Sequence, residues 1–411
     1  RNSDRLEGTC RWFPARTNFQ MWRQGETSSL LWVSADPGRG KSVLSKSLVN
    51  IELKSTESRT TCYFFFKDDN DEQKSAANAL CSLLHQLFSQ KKCLIGHAVP
   101  AFKNQGKPLA KSFYTLWGIL TGATTDSKAG EIICILDALD ECHETDRHEL
   151  LEALNHFYEK VARSERDKSQ LRFLVTGRPC NTIERKFTLL THNMPTVRLR
   201  GEMESETISR EIIIVIKGRV PEIAVKLQVT DPEKSILESE LLSMPHRTYL
   251  WLKLIVEEIE SSILITGNTL KETTRRLPHT VEEAYEAILE KITDRERAQK
   301  LLCIVISAVR PLTLGEINVA LAIEDHHRSI KELGLELIPE IGFETTLRYL
   351  CSLFVSVKNR KVYLIHQTAK EFLLAKTKLP APGGNIHFNR RSQSISLQGP
   401  ALLTSSLLNL A

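Results

Sequence analysis

The stretch WVSADPGRGKSVLSKSLV, Trp32 to Val49, decides how this chain is read. An apolar run ends at Ala35. A loop of small residues then carries Gly38 and Gly40, and Lys41-Ser42 opens a segment whose Val43, Leu44, Leu48 and Val49 recur at helical spacing. Strand, glycine loop and helix in this order make a phosphate-cradling loop. Successive backbone N–H groups curl around phosphate oxygens, and the helix N-terminus adds its dipole. The glycines permit the tight backbone, Lys41 would reach the β- and γ-phosphates, and the Ser42 hydroxyl would ligate Mg2+. Ala35 stands where the GxxxxGK[ST] pattern has its first glycine. If that position needs a positive φ, alanine costs on the order of 1 kcal/mol, a modest loss of affinity.

Two further segments complete the pattern. The apolar strand at Ile132–Leu136 ends in Asp137, followed at once by Asp140 and Glu141. Three carboxylates capping a buried strand repel one another without a cation, which favours a metal-bound nucleotide site over a solvated turn. Asp137 is placed as the aspartate that holds Mg2+ through water. The segment FLVTGRPC ends a third strand in Arg178, a basic residue positioned to report on the γ-phosphate.

The first two hundred residues alternate apolar runs with amphipathic helical patterns, so we expect an α/β domain with a parallel sheet and helices on both faces. The expected strands are Ser29–Ala35, Thr60–Phe66, Glu131–Leu139, Leu171–Gly177 and Thr196–Leu199, with helices at Ser42–Leu53, Asp71–Phe88 and Thr145–Tyr158. Their apolarity is continuous rather than alternating, as in strands buried on both faces. After Gly201 the strand runs stop, and residues 203–300 read as an all-α domain. Helix, helix, a hairpin around Lys-Asn-Arg-Lys and a final helix in QTAKEFLLA then give residues 301–378 the order of a winged helix. Residues 379–411, with paired glycines and many Ser, Asn and Arg, read as linker or disorder.

Composition narrows the function classes. The chain has 411 residues, too many for one ordinary core, and its 55 basic and 50 acidic residues leave a net charge of only +5. That balance argues against nucleic acid or an anionic membrane as partner. The 9 cysteines are scattered, odd in number and without a CxxC pair, which fits reduced thiols in a cytoplasmic protein. The apolar run Leu301–Val309 falls well short of the about 18 residues a membrane helix needs. The chain begins at Arg1 inside what reads as a folded segment, so we expect a fragment of a longer protein.

Together LLWVSADPGRGKS, ICILDALDEC, RFLVTGRP and YLIHQTAKEFLLA, with the lead-in GTCRWF at Gly8–Phe13, resemble the NACHT class of STAND P-loop ATPases in the fungal NOD-like receptor style. The resemblance spans about residues 8–376. It implies a P-loop domain over 1–202, a helical domain over 203–300 and a winged helix. Residues Ala35, Asp36, Pro37, Gly38, Arg39, Gly40, Lys41, Ser42 and Val43 would bind ATP or ADP, and Ser42 and Asp137 the Mg2+. Asp140 or Glu141 would position the attacking water and Arg178 would sense the γ-phosphate. His366 matches the winged-helix histidine that donates to the β-phosphate of ADP in the closed state, and Pro245 a proline against the base. The same resemblance implies slow ATP hydrolysis, homo-oligomerisation on activation, and an effector domain and repeats outside this stretch.

HETDRH (His143–His148) sets its histidines at i, i+5, off a common helix face, which argues against zinc. Tyr63–Phe66 reads as a core strand, and Cys142 has no base partner of recognisable pattern. A DNA-handling ATPase with a winged helix needs a basic recognition helix, whereas ETTLRYLCSLF offers only Arg348. A nucleotide-binding scaffold without turnover would lack the acidic residues that are present here.

Overall fold

The computed structural model of the chain describes residues 5–25, 28–68, 70–163, 170–179, 196–199, 202–244, 248–261, 277–324, 334, 336–351, 354–376, 388–389 and 394–395. It divides into two compact units, Arg1–Glu222 and Ile223–Ala411.

The first unit is built on five parallel strands: β1 (Ser29–Ala35), β2 (Arg59–Phe65), β3 (Glu131–Asp137), β4 (Leu171–Gly177) and β5 (Thr196–Leu199). Their order is β2-β3-β4-β1-β5. Alternate side chains go to opposite faces of each strand, and both faces are covered. On one face Leu30, Trp32, Cys134, Leu136, Phe173 and Val175 pack with Leu80, Leu83, Leu87, Leu120 and Leu154 from the helices Ala76–Gln90, Phe113–Thr124 and Glu144–Arg163. On the other, Leu31, Val33, Ile133, Ile135 and Leu174 pack with Leu44, Leu48 and the aromatic group Phe13, Phe19 and Trp22. This is the α/β sheet with helices on both faces that the continuous apolar runs imply.

Several boundaries shift from the sequence expectation, the helix expected over Asp71–Phe88 running Ala76–Gln90 among them, and two of the shifts have a local reason. The strand expected to reach Leu139 ends at Asp137, because Ala138 adopts a left-handed conformation (φ 57°, ψ 51°) that turns the chain out of the sheet. The helix after the phosphate loop, α1 (Lys41–Ser47), gives way to a π-helical turn over Leu48–Glu52. Its final N–H, from Leu53, reaches back to the Leu48 carbonyl at 2.7 Å.

In the second unit the described helices are Asp231–Ser243, Tyr249–Ser261, Val281–Glu290, Arg295–Ser307, Leu314–Ala322, Glu340–Cys351 and Gln367–Lys376. The helix over Leu314–Ala322 starts at a capping box in which Thr313 and Glu316 exchange side-chain-to-backbone bonds. The antiparallel hairpin Val355–Lys358 with Lys361–Leu364 turns through Asn359 and Arg360, both at positive φ (50° and 60°) as a two-residue primed turn requires. One core joins the helices from Tyr249–Ser261 to Gln367–Lys376 and the hairpin, centred on Tyr285, Leu301, Phe343, Leu347, Phe354 and Leu373. Tyr285 stacks on Phe354 with ring centroids 5.3 Å apart. A two-residue pairing of Phe388–Asn389 with Ser394–Ile395 lies in the tail.

Candidate functional site

Parallel strands present all their C-terminal ends on one edge of a sheet, and there open α/β sheets bind their ligands. The tips of β1, β3 and β4 carry the phosphate loop, the acidic turn and Arg178. Because β4 lies between β1 and β3, its last residues sit between the loop and the carboxylates.

The loop has the backbone its sequence suggests. Gly38 (φ 71°) and Gly40 (φ 81°) occupy left-handed conformations that a side chain would strain, and α1 begins directly after Gly40. Ala35 is different. It is the last residue of β1, fully buried, paired with Leu199 of β5 and outside the set of positive-φ residues. The condition under which alanine would cost affinity is therefore not met. Asp36, Pro37, Arg39, Ser42 and Val43 are half-buried around the loop and the first turn of α1. The Lys41 ammonium donates to the carbonyl oxygens of Ala35 at 2.6 Å and Asp36 at 3.2 Å. Burial draws its pKa below the usual lysine value, while Asp140 and Asp137 oppose that shift.

Asp137 is buried at the tip of β3 and its Oδ1 accepts two hydroxyls, Ser45 from α1 at 2.6 Å and Thr176 from β4 at 2.6 Å. Thr176 Oγ1 also accepts the Ala138 N–H at 3.0 Å, which supports the left-handed turn. Beyond it a single turn, Leu139–Glu141, delivers the other two carboxylates. Asp140 meets Arg178 twice: Oδ1 accepts the Arg178 backbone N–H at 3.0 Å, and Oδ2 lies 3.1 Å from Nε. The close approach is possible because residue 177 is glycine; a Cβ there would sit 2.7 Å from the Trp32 ring and 3.2 Å from Asp140 Oδ1. Glu141 is recessed beside Lys67 and Asp68. Burial chiefly, reinforced by Asp68, Asp140 and Asp137 and opposed by Lys67, pushes its carboxyl up to about 7.

This donor set fits a metal-bound nucleotide. The edge combines glycine-turned backbone N–H groups, one half-buried ammonium, a guanidinium and three carboxylates whose mutual repulsion is already visible at Glu141. Among the described residues no compact group of His, Cys, Asp and Glu is placed to hold a metal ion by itself. Ser45 and Thr176 were not singled out in the sequence. Ser45 follows the motif by one helical turn, and the role of Thr176 depends on a strand order that chain order does not reveal.

His366 lies in the second unit, just before the helix Gln367–Lys376. Its Nδ1 accepts the Thr368 backbone N–H at 3.2 Å and lies 2.9 Å from the Thr368 hydroxyl, which in turn meets Tyr285 at 2.9 Å. An Nδ1 that accepts a backbone hydrogen places the neutral ring's proton on Nε2. Pro245 lies outside the described residues.

Comparison with known proteins agrees with this geometry. The family model described as Nephrocystin 3, N-terminal matches residues 8–178, and that of the GPI inositol-deacylase winged helix domain matches 285–381. A domain of unknown function (DUF7069) matches 208–269. The vegetative incompatibility protein HET-E-1 of Podospora anserina is 27% identical over 375 residues, which is 90% of this chain and 26% of that protein. Among solved structures, the ADP form of the Aeropyrum pernix ORC2 protein covers 91% of this chain and 96% of its own at 14% identity, with TM-score 0.37. The Walker-type ATPase PABY2304 of Pyrococcus abyssi covers 90% and 98% at 12% identity, with TM-score 0.40. At those scores the structural likenesses add nothing to the fold read from the sheet itself. The chain is a P-loop NTPase module joined to a winged helix. These matches agree with the resemblance to NACHT-like proteins of the fungal NOD-like receptor kind that the motifs carry. No described helix is long and apolar enough to cross a membrane.

Proposed function

We propose that the chain is the nucleotide-operated switch of a larger signalling protein. It binds ATP or ADP with Mg2+, hydrolyses ATP slowly, and uses the difference between the two nucleotides to control a closed-to-open, homo-oligomerising transition. The setting is fungal self/non-self recognition or innate immunity leading to cell death, in the cytoplasm. Effector domain and repeats outside this stretch would supply output and ligand.

One observation carries the nucleotide reading: the loop with Lys41, the buried Asp137 and the Asp140–Arg178 pair meet at adjacent strand tips. Gly38, Gly40 and the N-terminus of α1 cradle the phosphates, and Lys41 moves its ammonium from loop carbonyls to phosphate oxygens. Ser42, and Asp137 through water, would hold the Mg2+, which would neutralise charge on the phosphates. Glu141, with a carboxyl poised near neutrality, takes the proton of the attacking water. A switch needs differential affinity, since a ligand shifts an equilibrium only by that difference. His366 supplies it if its Nε2–H reaches ADP only in the closed arrangement. The domain bounds that go with this reading are 1–202, 203–300 and 301–378.

The test is Lys41→Ala followed by calorimetric titration of ATP and ADP. Binding should disappear while the thermal unfolding of the free protein is preserved. Micromolar affinity surviving in the variant removes the phosphate loop from the account.

A further inference from the structure

We propose that Gln86 keeps the outer edge of the sheet shut, and that without it β2 pairs edge to edge with β2 of a second copy of this chain.

The strand β2 lies at the end of the order β2-β3-β4-β1-β5. A strand in that place presents a row of backbone N–H and C=O groups that can template another strand. The Phe66 N–H and the Ser58 carbonyl are bonded to β3, each at 3.0 Å, so the alternate residues Arg59, Thr61, Tyr63 and Phe65 direct their backbone groups outward. The sequence makes this edge a hazard. TTCYFFF, Thr60 to Phe66, is β-branched and aromatic, with no charge, glycine or proline, a composition that favours stacking of strands from different chains. Tyr63 is 41% exposed there, and its ring meets that of Phe65 edge-on at 5.7 Å. Two copies of such an edge related by a two-fold axis are self-complementary.

Side chains stand where the neighbouring strand would be. Gln86 Oε1 accepts the Tyr63 N–H at 3.0 Å, and its Nε2 donates to the Tyr63 carbonyl at 2.8 Å. This is the two-bond exchange that an antiparallel partner residue would make. Gln90 Nε2 donates to the Thr61 carbonyl at 3.3 Å, and Ser55 Oγ accepts the Thr61 N–H at 3.0 Å. Thr56 closes Arg59 in the same way, its Oγ1 accepting the N–H at 3.1 Å and its own N–H donating to the carbonyl at 2.9 Å. Gln73 Nε2 reaches the Phe65 carbonyl at 3.4 Å. Gln86 holds the middle of the strand from a firm base. It sits on the helix Ala76–Gln90, whose Leu80, Leu83 and Leu87 are packed in the core, and its Nε2 also donates to Ser82 Oγ, one turn back, at 3.1 Å.

The experiment is sedimentation velocity over a concentration series, with backbone hydrogen exchange of the β2 peptide, on the purified chain, Gln86→Ala and Gln86→Ala with Tyr63→Lys. Each is run without nucleotide and with ADP. Gln86→Ala should self-associate at about tenfold lower concentration than wild type, and its Tyr63 amide in dilute protein should exchange roughly tenfold faster. Both effects should be the same with and without ADP, which separates edge pairing from any nucleotide-driven assembly. Adding Tyr63→Lys should restore wild-type sedimentation, because a charge on an edge strand opposes pairing. If the alanine variant does not fold, Gln86→Leu decides, since it keeps a long side chain and suits a helix but makes no hydrogen bond. Wild-type association in the hydrogen-bond-free variant overturns the proposal. So does association that survives Tyr63→Lys, which places the contact on another surface, or association seen in only one nucleotide state.

Discussion

Arg178 grips Asp140 with both its main chain and its side chain, through a 3.0 Å bond from N–H to Oδ1 and a 3.1 Å contact from Nε to Oδ2. The two carboxylates of the acidic turn are thereby given different work. Asp140 is an anion fastened to a cation, with its lone pairs directed at Arg178. Glu141, one residue on, has its carboxyl lifted to about 7 by burial and neighbouring negative charge, the condition of a base near neutral pH.

The two residues should therefore separate in mutants. Glu141→Gln keeps shape and removes the base, so single-turnover hydrolysis should fall by about 100- to 10,000-fold while ATP affinity is retained. Asp140→Asn neutralises the carboxylate that meets the Arg178 Nε. That change should lower the unfolding free energy by about 1–3 kcal/mol and weaken hydrolysis less than the glutamine variant. Equal loss of turnover in the two variants, at equal stability, would return the assignment to either carboxylate.

The same carboxyl predicts a pH dependence of stability. Glu141 holds its proton in the folded chain up to about 7, against 4.5 for an ordinary glutamate. The folded state then binds more protons than the unfolded one across that window, so stability falls as pH rises from about 4.5 through about 7 and levels off above. Urea unfolding of the nucleotide-free protein at about pH 5 and about pH 8 should show wild type losing roughly 1–3 kcal/mol more than Glu141→Gln over the interval. Parallel curves for the two proteins would place the Glu141 pKa near that of a solvated side chain.

Ala35 gives a prediction opposite to the one its motif suggests. Restoring the pattern with Ala35→Gly relieves no strain, because the residue is an extended, fully buried member of β1. Glycine in a strand interior loses packing and gains unfolded-state freedom, at a cost of roughly 0.5–1 kcal/mol. Nucleotide affinity should be unchanged and the melting temperature should drop. A gain in affinity would mean that the loop rearranges at Ala35 on binding.

Much of this was legible in the sequence because its signals are local. Continuous apolarity in five short runs, glycines before Lys41 and acids after Ile132–Leu136 each state a backbone or burial requirement within a few residues. The order β2-β3-β4-β1-β5 is not local. It arises from packing crossover helices on both faces, and it alone brings Thr176 between the loop and Asp137. Ser45 was hidden for a related reason: a serine in a helix is normally a weak signal, and only the facing carboxylate gives it a role. The end of β3 at Asp137 was missed because Ala138 adopts a conformation that its residue type disfavours. Its N–H bond to Thr176 belongs to the tertiary structure.

His366 makes the last prediction, and its hydrogen bonds define what to measure. Nδ1 accepts from the Thr368 backbone, and the Thr368 hydroxyl is held in turn by Tyr285, whose ring is stacked in the core of its unit. The imidazole is thus fixed as the Nε2–H tautomer, a donor suited to a phosphate oxygen. A hydrogen bond to a charged group contributes about 1.5–3 kcal/mol, so His366→Ala should speed ADP release by roughly 10- to 100-fold. If His366 is the ADP contact of the proposed switch, the variant should also raise the oligomer fraction. Thr368→Val keeps the backbone N–H but removes the hydroxyl, and should give a smaller acceleration because the ring is less tightly held. Stopped-flow release of a fluorescent ADP analogue, with light scattering in parallel, reads both effects. Release rates unchanged in both variants would leave ADP bound by the phosphate loop alone, with His366 reduced to a cap on its own helix.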